Sequence, residues 1–127
     1  ISMDQEGGRV ARLRAPWTSW PPMREVGRFD DIDTTRAIGT AHARELRDVG
    51  TRLNFAPVAD VDSNPANPVI GDRSFADDPQ TVARHVCAYL EGLQGGGVAS
   101  CVKHFPGHGD TDLDSHLALP ELRHSRA

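Results

Sequence analysis

Apolar and polar positions along the chain fall into three short apolar runs separated by two helical stripes. Ile1 to Met3 is apolar or small and passes into Asp4-Gln5-Glu6-Gly7-Gly8-Arg9-Val10, a strand end followed by a glycine turn. Residues 11 to 32 hold Pro16, Trp17, Trp20, Pro21 and Pro22 and are expected to form an irregular loop. From about Thr34 to Val49, Ile38, Ala41, Leu46 and Val49 recur at helical spacing, with Asp33 the expected N-cap and Gly50 at the C′ position. Leu53 to Ala59 reads as a buried strand ending at Asp60. A loop over 61–77 follows, with Asn64, Pro65, Asn67, Pro68 and Gly71. The second helix is clearer. Asp78 caps it, Pro79 occupies its first position, where a missing N–H costs nothing, and Val82, Val86, Leu90 and Leu93 share one face. Gly95-Gly96-Gly97 stops it. Val98 to Val102 is a third strand that runs into Lys103-His104, then a Gly/Pro turn and a polar loop to Leu117.

Strands joined through helices are parallel, with right-handed crossovers. The strand spacing exceeds a minimal strand–helix–strand unit, and the surplus lies after the strands, in loops rich in Asp, Arg and His. A (β/α)8 barrel keeps its chemistry in such loops. Three strands in 127 residues make about half of such a barrel, or a small open α/β sheet. Ile1-Ser2-Met3 reads as a strand already under way, and Glu121 to Ala127 is polar and leads nowhere. Residues 1–127 are therefore expected to be one partial domain, truncated at both ends.

Composition narrows the function classes. The apolar set is 38% and charged residues are 25%, without low-complexity tracts, so long disorder is not expected. The apolar runs are too short to span a bilayer. Net charge is -4, with no basic patch, which argues against nucleic acid as a partner. Cys87 and Cys101 make no disulfide framework and read as core thiols. Trp17 and Trp20 read as packing residues beside the prolines. Compartment and oligomeric state are not legible; the cytoplasm is only the default.

Parallel strands put their C-terminal ends at one edge, so Asp4, Asp60 and Lys103-His104 converge. The segment from Lys103 to His116 is the richest in chemistry. It holds three of the six histidines and the sole lysine; the other 13 of the 14 Lys and Arg residues are arginine. A metal site of His104, His108, His116 and aspartates fits no familiar ligand spacing, because Pro106 and Gly107 break any shared helical face. Asp114 and His116 are two apart. In an extended stretch they point the same way, so the carboxylate could orient the imidazole for acid/base work. By composition alone, a solvated loop with ordinary charges remains the stronger reading.

Four motifs in order change that balance. Lys103-His104-Phe105-Pro106-Gly107-His108-Gly109, a spacer, and Asp114-Ser115-His116 resemble the signature of glycoside hydrolase family three, in its β-N-acetylglucosaminidase branch. Asp4-Gln5-Glu6-Gly7-Gly8-Arg9-Val10 resembles the family's glycine turn. Asn54-Phe55-Ala56-Pro57-Val58-Ala59-Asp60-Val61 resembles its next strand, and Gly71-Asp72-Arg73-Ser74-Phe75 a following loop. The resemblance implies part of a (β/α)8 barrel and a retaining glycosidase that releases terminal β-linked N-acetylglucosamine from peptidoglycan- or chitin-type oligosaccharides. It implies a carbohydrate substrate and neither cofactor nor metal. Asp4 is then expected to accept from sugar hydroxyls, Arg12 and Arg73 to hold the ring and its substituents, and Lys103 and His104 to donate to the same sugar. His116 is the implied acid/base, held by Asp114. The nucleophilic aspartate lies on a later strand in the family and has no counterpart in this sequence, so the isolated fragment is expected to be inactive. A β-glucosidase-like member lacks the Asp-x-His loop. A histidine acid/base would not repel phosphate, which leaves a phosphorylase as an alternative, and a sugar-binding module without turnover as another.

Overall fold

The computed structural model describes residues 1–122; the end of the expected polar tail, from 123 to 127, lies outside the described residues. Three parallel strands, β1 (Ser2–Met3), β2 (Leu53–Asn54) and β3 (Ala99–Ser100), lie side by side in chain order. Ser2 pairs with Leu53 and Leu53 with Ala99; Met3 pairs with Asn54 and Asn54 with Ser100. Helices α1 (Met23–Phe29) and α2 (Ile32–Asp48) connect β1 to β2, and α3 (Pro79–Gly95) connects β2 to β3. This strand–helix alternation is that of part of a (β/α)8 barrel. Among the described residues no helix is long and apolar enough to cross a membrane.

The regular ladder is shorter than the apolar runs suggest. Pro57 has no N–H to offer it, and regular pairing stops after Asn54. Pairing resumes as an isolated parallel bridge between Val58 and Lys103, supported by Lys103 N to Pro57 O and Ala59 N to Lys103 O. That bridge carries the strand direction up to Asp60 and His104.

The expected loop over 11–32 contains α1. Pro22 precedes it at φ -64, and Met23, Val26 and Gly27 are buried. Seven residues are too few to show a period. Gly27 is there because a Cβ would sit 1.9 Å from the Phe75 carbonyl oxygen. α2 starts two residues before the expected position. Its cap is Asp31, whose side chain accepts from Thr34 N at 2.7 Å. Asp33 instead lies in the first turn, near the positive end of the helix dipole, and pairs with Arg36 at 2.5 Å. Asp78 caps α3 as expected, accepting from Thr81 N.

Both long helices stop the same way. Gly50 N reaches Arg47 O and Thr51 N reaches Leu46 O; Gly97 N reaches Gln94 O and Val98 N reaches Leu93 O. These paired bonds need a left-handed residue, supplied by Gly50 (φ 77) and Gly97 (φ 83). Each motif turns the chain directly into the next strand.

α2 and α3 pack backbone to backbone. A Cβ at Gly39 would lie 2.4 Å from Tyr89 O, and one at Gly92 2.1 Å from Arg36 O. That closeness explains why Ile38, Ala41 and Val49 are only partly covered. The contact face of α2 is Thr35, Gly39, His42, Ala43 and Leu46, mostly small or polar. Tyr89, Leu93 and Val98 complete the core with them. Trp20 packs edge-on against His42 with centroids 4.6 Å apart, and its indole N–H donates to Glu45 at 2.8 Å, as the packing reading expects. The two cysteines are exposed, contrary to the core reading. Cys87 lies off the buried stripe of α3, and Cys101, just past β3, lines the open cavity described next.

Candidate active site

The C-terminal ends of the three strands deliver three polar groups to one edge. After β1, Asn54 fixes the chain by a reciprocal pair: its Oδ1 accepts from Gln5 N at 3.0 Å and its Nδ2 donates to Gln5 O at 2.9 Å. Gly7 (φ 105) and Gly8 (φ 54) then turn the backbone over. Gln5 Oε1 accepts from Arg12 N and Leu13 N, which folds residues 5–13 onto the edge. The result drives Glu6 inward, with 2% of its side chain exposed.

Glu6 holds two cations together. Its carboxylate accepts from Lys103 Nζ at 2.5 Å and, in a two-pronged pair, from Arg73 Nε and Nη2 at 2.9 Å each. Lys103 also reaches Asp4 Oδ1 at 2.5 Å. The chain of charges therefore alternates Asp4, Lys103, Glu6, Arg73 across residues up to 99 positions apart. Burial alone would lower the Arg73 guanidinium; its bonds to Glu6, with Asp60 and Asp4 nearby, hold it above its ordinary range. Arg73 Nη2 next points at His104 Nε2, 3.3 Å away.

Asp60 is the buried anchor of the edge, with its side chain fully covered. Its Oδ2 accepts from His104 N at 3.1 Å and His104 Nδ1 at 2.6 Å; its Oδ1 accepts from His108 N at 2.5 Å. Burial would raise this carboxyl, and the His104 and His108 bonds outweigh it, so it stays below the usual carboxylate range. His104 Nδ1 gives its proton to Asp60, and Nε2 turns its lone pair to an arginine N–H. Its Nε2 accepts rather than donates.

Asp114 and His116 do meet, though in a turn and not an extended stretch. Asp114 Oδ1 accepts from His116 N at 2.9 Å and from His116 Nδ1 at 2.7 Å, while its carbonyl accepts from Leu117 N and Ala118 N. An aspartate capping its own turn favours this over the strand geometry. The two bonds from His116 lower the Asp114 carboxyl. The imidazole is 81% exposed, and its Nε2 has no partner among the described residues.

Asp4, Arg12, Arg73, Lys103, His104 and His116 all line one open cavity of about 550 Å³. That size is typical of a small-molecule site. Six of the seven site residues expected from the sequence thus line one cavity, and the seventh, Asp114, joins them only through its bonds to His116. Arg12 presents a guanidinium without a partner among the described residues. Three others escaped the sequence reading of the site. Glu6 was visible only as part of a glycine-turn motif. Asp60 was singled out as a strand end but given no role, and His108 was weighed only as a metal ligand. Among the described residues no group of three or more His, Cys, Asp or Glu is placed to hold a metal ion.

A parallel β/α edge bearing carboxylates, cations and a carboxylate–imidazole pair around one open cavity stands where a (β/α)8 barrel keeps its active site. Residues 1–127 match the N-terminal domain of glycosyl hydrolase family 3, and the chain belongs to that family. It is 45% identical to beta-hexosaminidase A of Pseudoalteromonas piscicida over 99% of this chain and 22% of that protein. It is 44% identical to the beta-hexosaminidase LpqI of Mycobacterium tuberculosis, over 91% of this chain and 30% of that one. Among solved structures, a family 3 beta-N-acetylglucosaminidase from a Paenibacillus strain matches with a TM-score of 0.94 at 46% identity, covering 99% of this chain and 24% of that one. Native NagZ from Neisseria gonorrhoeae matches with a TM-score of 0.90 at 42% identity, over 98% and 38%. The same gonococcal protein has been solved with N-trifluoroacetyl-D-glucosamine. The chain spans between 22% and 38% of the length of these relatives.

Proposed function

We propose that this chain is the sugar-binding and acid/base part of a retaining β-N-acetylhexosaminidase, a partial catalytic domain whose longer protein releases terminal β-linked N-acetylglucosamine from peptidoglycan- or chitin-type oligosaccharides. One observation carries the reading: the Asp114–His116 pair opens onto the same cavity as Asp4, Arg12, Arg73, Lys103 and His104. Relatives named beta-hexosaminidase support the choice of sugar.

In this reading a terminal sugar lies over the charged edge. Lys103 donates to one hydroxyl and Asp4 accepts from another, while His104, held between Asp60 and Arg73, lies against the same sugar. Arg12 and Arg73 steady the ring and its substituents. His116, protonated on both nitrogens, gives its Nε2 proton to the glycosidic oxygen as that bond breaks, and Asp114 balances the imidazolium at Nδ1. The anomeric carbon is taken by a carboxylate expected on a later strand. Neutral His116 then removes a proton from the water that releases the sugar.

The test uses the full-length protein and aryl and disaccharide N-acetylglucosaminides. General acid catalysis contributes about 10² to 10⁴ in rate, so His116→Ala should lose roughly that much on a sugar leaving group. A dinitrophenyl leaving group needs no proton and its first step should survive, giving a burst of phenol. Azide, which needs no general base, should restore turnover and yield a glycosyl azide. Equal slowing of both substrates, with no azide effect, would remove His116 from the acid/base role.

A further inference from the structure

Asp114 fixes His116 only to its own turn. Both hydrogen bonds of the pair are local, two residues apart, and the imidazole lies mostly in solvent. An acid/base must be fixed relative to the sugar, and therefore to the strand edge. A misplacement of about 1 Å can cost on the order of a hundredfold in rate. Something must carry the position of the edge out to residues 114–116.

His108 has the geometry for it. All four of its polar groups are engaged. Its N–H donates to Oδ1 of the buried Asp60 at 2.5 Å, and its carbonyl accepts from Asn67 Nδ2 at 2.6 Å. Asn67 is itself buried, held by Val69 N and Ile70 N on its Oδ1. The His108 ring packs edge-on to His104 with centroids 6.2 Å apart. Its Nδ1 meets Thr111 Oγ1 at 2.7 Å, and its Nε2 meets Ser115 Oγ at 3.0 Å. Ser115 stands between Asp114 and His116. We infer that His108 is a positioning residue, which transmits the fixed geometry of Asp60 through Nε2 to Ser115 and so holds the Asp114–His116 pair over the sugar site.

The two ring nitrogens separate this role from a general structural one. Asn places a polar atom near the Nδ1 position and preserves the Thr111 contact; Gln reaches the Nε2 position and preserves the Ser115 contact. The inference rests on His116 as acid/base, so the full-length protein is assayed with sugar and dinitrophenyl leaving groups, beside binding of free N-acetylglucosamine. His108→Asn and Ser115→Ala should each slow the sugar leaving group on the order of tenfold to a hundredfold. The dinitrophenyl burst and N-acetylglucosamine affinity should stay within about twofold. His108→Gln should recover most of the loss. Combining His108→Asn with Ser115→Ala should add little to either change alone, as for two ends of one contact. Hydrogen exchange of residues 113–117 gives a second readout, independent of turnover: faster in His108→Asn and Ser115→Ala alike, and near wild type in His108→Gln.

Equal behaviour of the Asn and Gln variants, or a parallel loss of N-acetylglucosamine affinity, would overturn the inference. If wild-type turnover and the His116→Ala leaving-group split hold while His108→Asn acts as wild type, the latch fails and the proposed function stands. If the wild type has no glycosidase activity, the proposed function fails, and unchanged exchange in His108→Asn and Ser115→Ala would sink the latch as well.

Discussion

The same hydrogen-bond pattern occurs twice in this molecule, once sealed and once open. In each case one carboxylate oxygen accepts both the backbone N–H and the Nδ1–H of a histidine: Asp60 with His104, Asp114 with His116. The Asp60 side chain is fully covered and its histidine is 44 residues away; Asp114 is 31% exposed and its histidine is two residues away. Both carboxyls are held below their ordinary range. The difference lies at Nε2. In the sealed pair Nε2 faces Arg73, whereas in the open pair it faces the cavity with no partner among the described residues. Tying a histidine to a carboxylate fixes its tautomer. What stands at the other nitrogen decides whether it frames a site or exchanges a proton in it.

The largest effect that tests this contrast comes from removing each carboxylate. Asp60→Ala strips three donors of their buried acceptor: His104 N, His104 Nδ1 and His108 N. Each orphaned buried group costs about 1–3 kcal/mol, so the loss should be several kcal/mol and should lower the thermal midpoint of the full-length protein sharply. Asp114→Ala removes an acceptor that water can replace. It should leave the midpoint nearly unchanged while slowing cleavage of a sugar leaving group. Differential scanning calorimetry beside kinetics would show it; similar destabilisation by both variants would erase the distinction between sealed and open pairs. The pH dependence has the same sign. Asp60's folded-state pKa is depressed, so its contribution is present above the unfolded carboxyl value and is lost as pH falls through the lowered folded value.

The next effect concerns the framing carboxylate shared by two cations. Glu6→Gln keeps shape but leaves Lys103 and Arg73 competing for one amide oxygen, and turns an amide N–H₂ toward a cation. A hydrogen bond to a charged group is worth roughly 1.5–3 kcal/mol, so affinity for N-acetylglucosamine should fall on the order of tenfold to a hundredfold. The leaving-group dependence should be that of the wild type, because His116 is untouched. Calorimetric binding unchanged from wild type would mean that Asp4 alone positions Lys103.

How much of this was legible follows the length scale of each signal. The Asp78–Pro79 start and the glycine stops of α3 are local chemistry and read directly. At the start of α2 the cap was expected at Asp33 and lies two residues earlier, at Asp31. α1 escaped because its placement depends on Gly27 meeting the Phe75 backbone 48 residues on. Strand–helix order left half a barrel or a small open α/β sheet, and the resemblance of four motifs to family three decided for the barrel. Within the site, Asp114 and His116 were legible as a pair because they are neighbours. Glu6 was not, since its partners Arg73 and Lys103 stand 67 and 97 positions away and no pattern in the sequence links them. The role of Asp60 likewise becomes visible only when its three donors are seen together.

The last effect is the cleanest control, a histidine buried with no carboxylate on either nitrogen. His42 lies fully covered between α2, α3 and Trp20, with Nδ1 hydrogen-bonded to the Tyr89 hydroxyl and Nε2 unpaired. Burial pushes its pKa down to about 4, against the weak upward pull of Glu45. The sign is that of a group that folds neutral. Between about pH 6.5 and pH 4 the unfolded chain binds a proton that the folded chain refuses, so stability falls as the pH is lowered through that window. The shift corresponds to a penalty on the order of 3 kcal/mol once pH is below both values. In a ¹³C-labelled full-length sample, the His42 Cε1–H shift should keep its neutral value until the pH nears 4 or the protein unfolds. The His116 signal should move in Asp114→Asn relative to wild type, and the His42 signal should not. A His42 resonance that titrates near pH 6.5 in the folded protein would mean that burial between these helices does not suppress charge. The contrast between sealed and open histidines would then have to rest on hydrogen-bond partners alone.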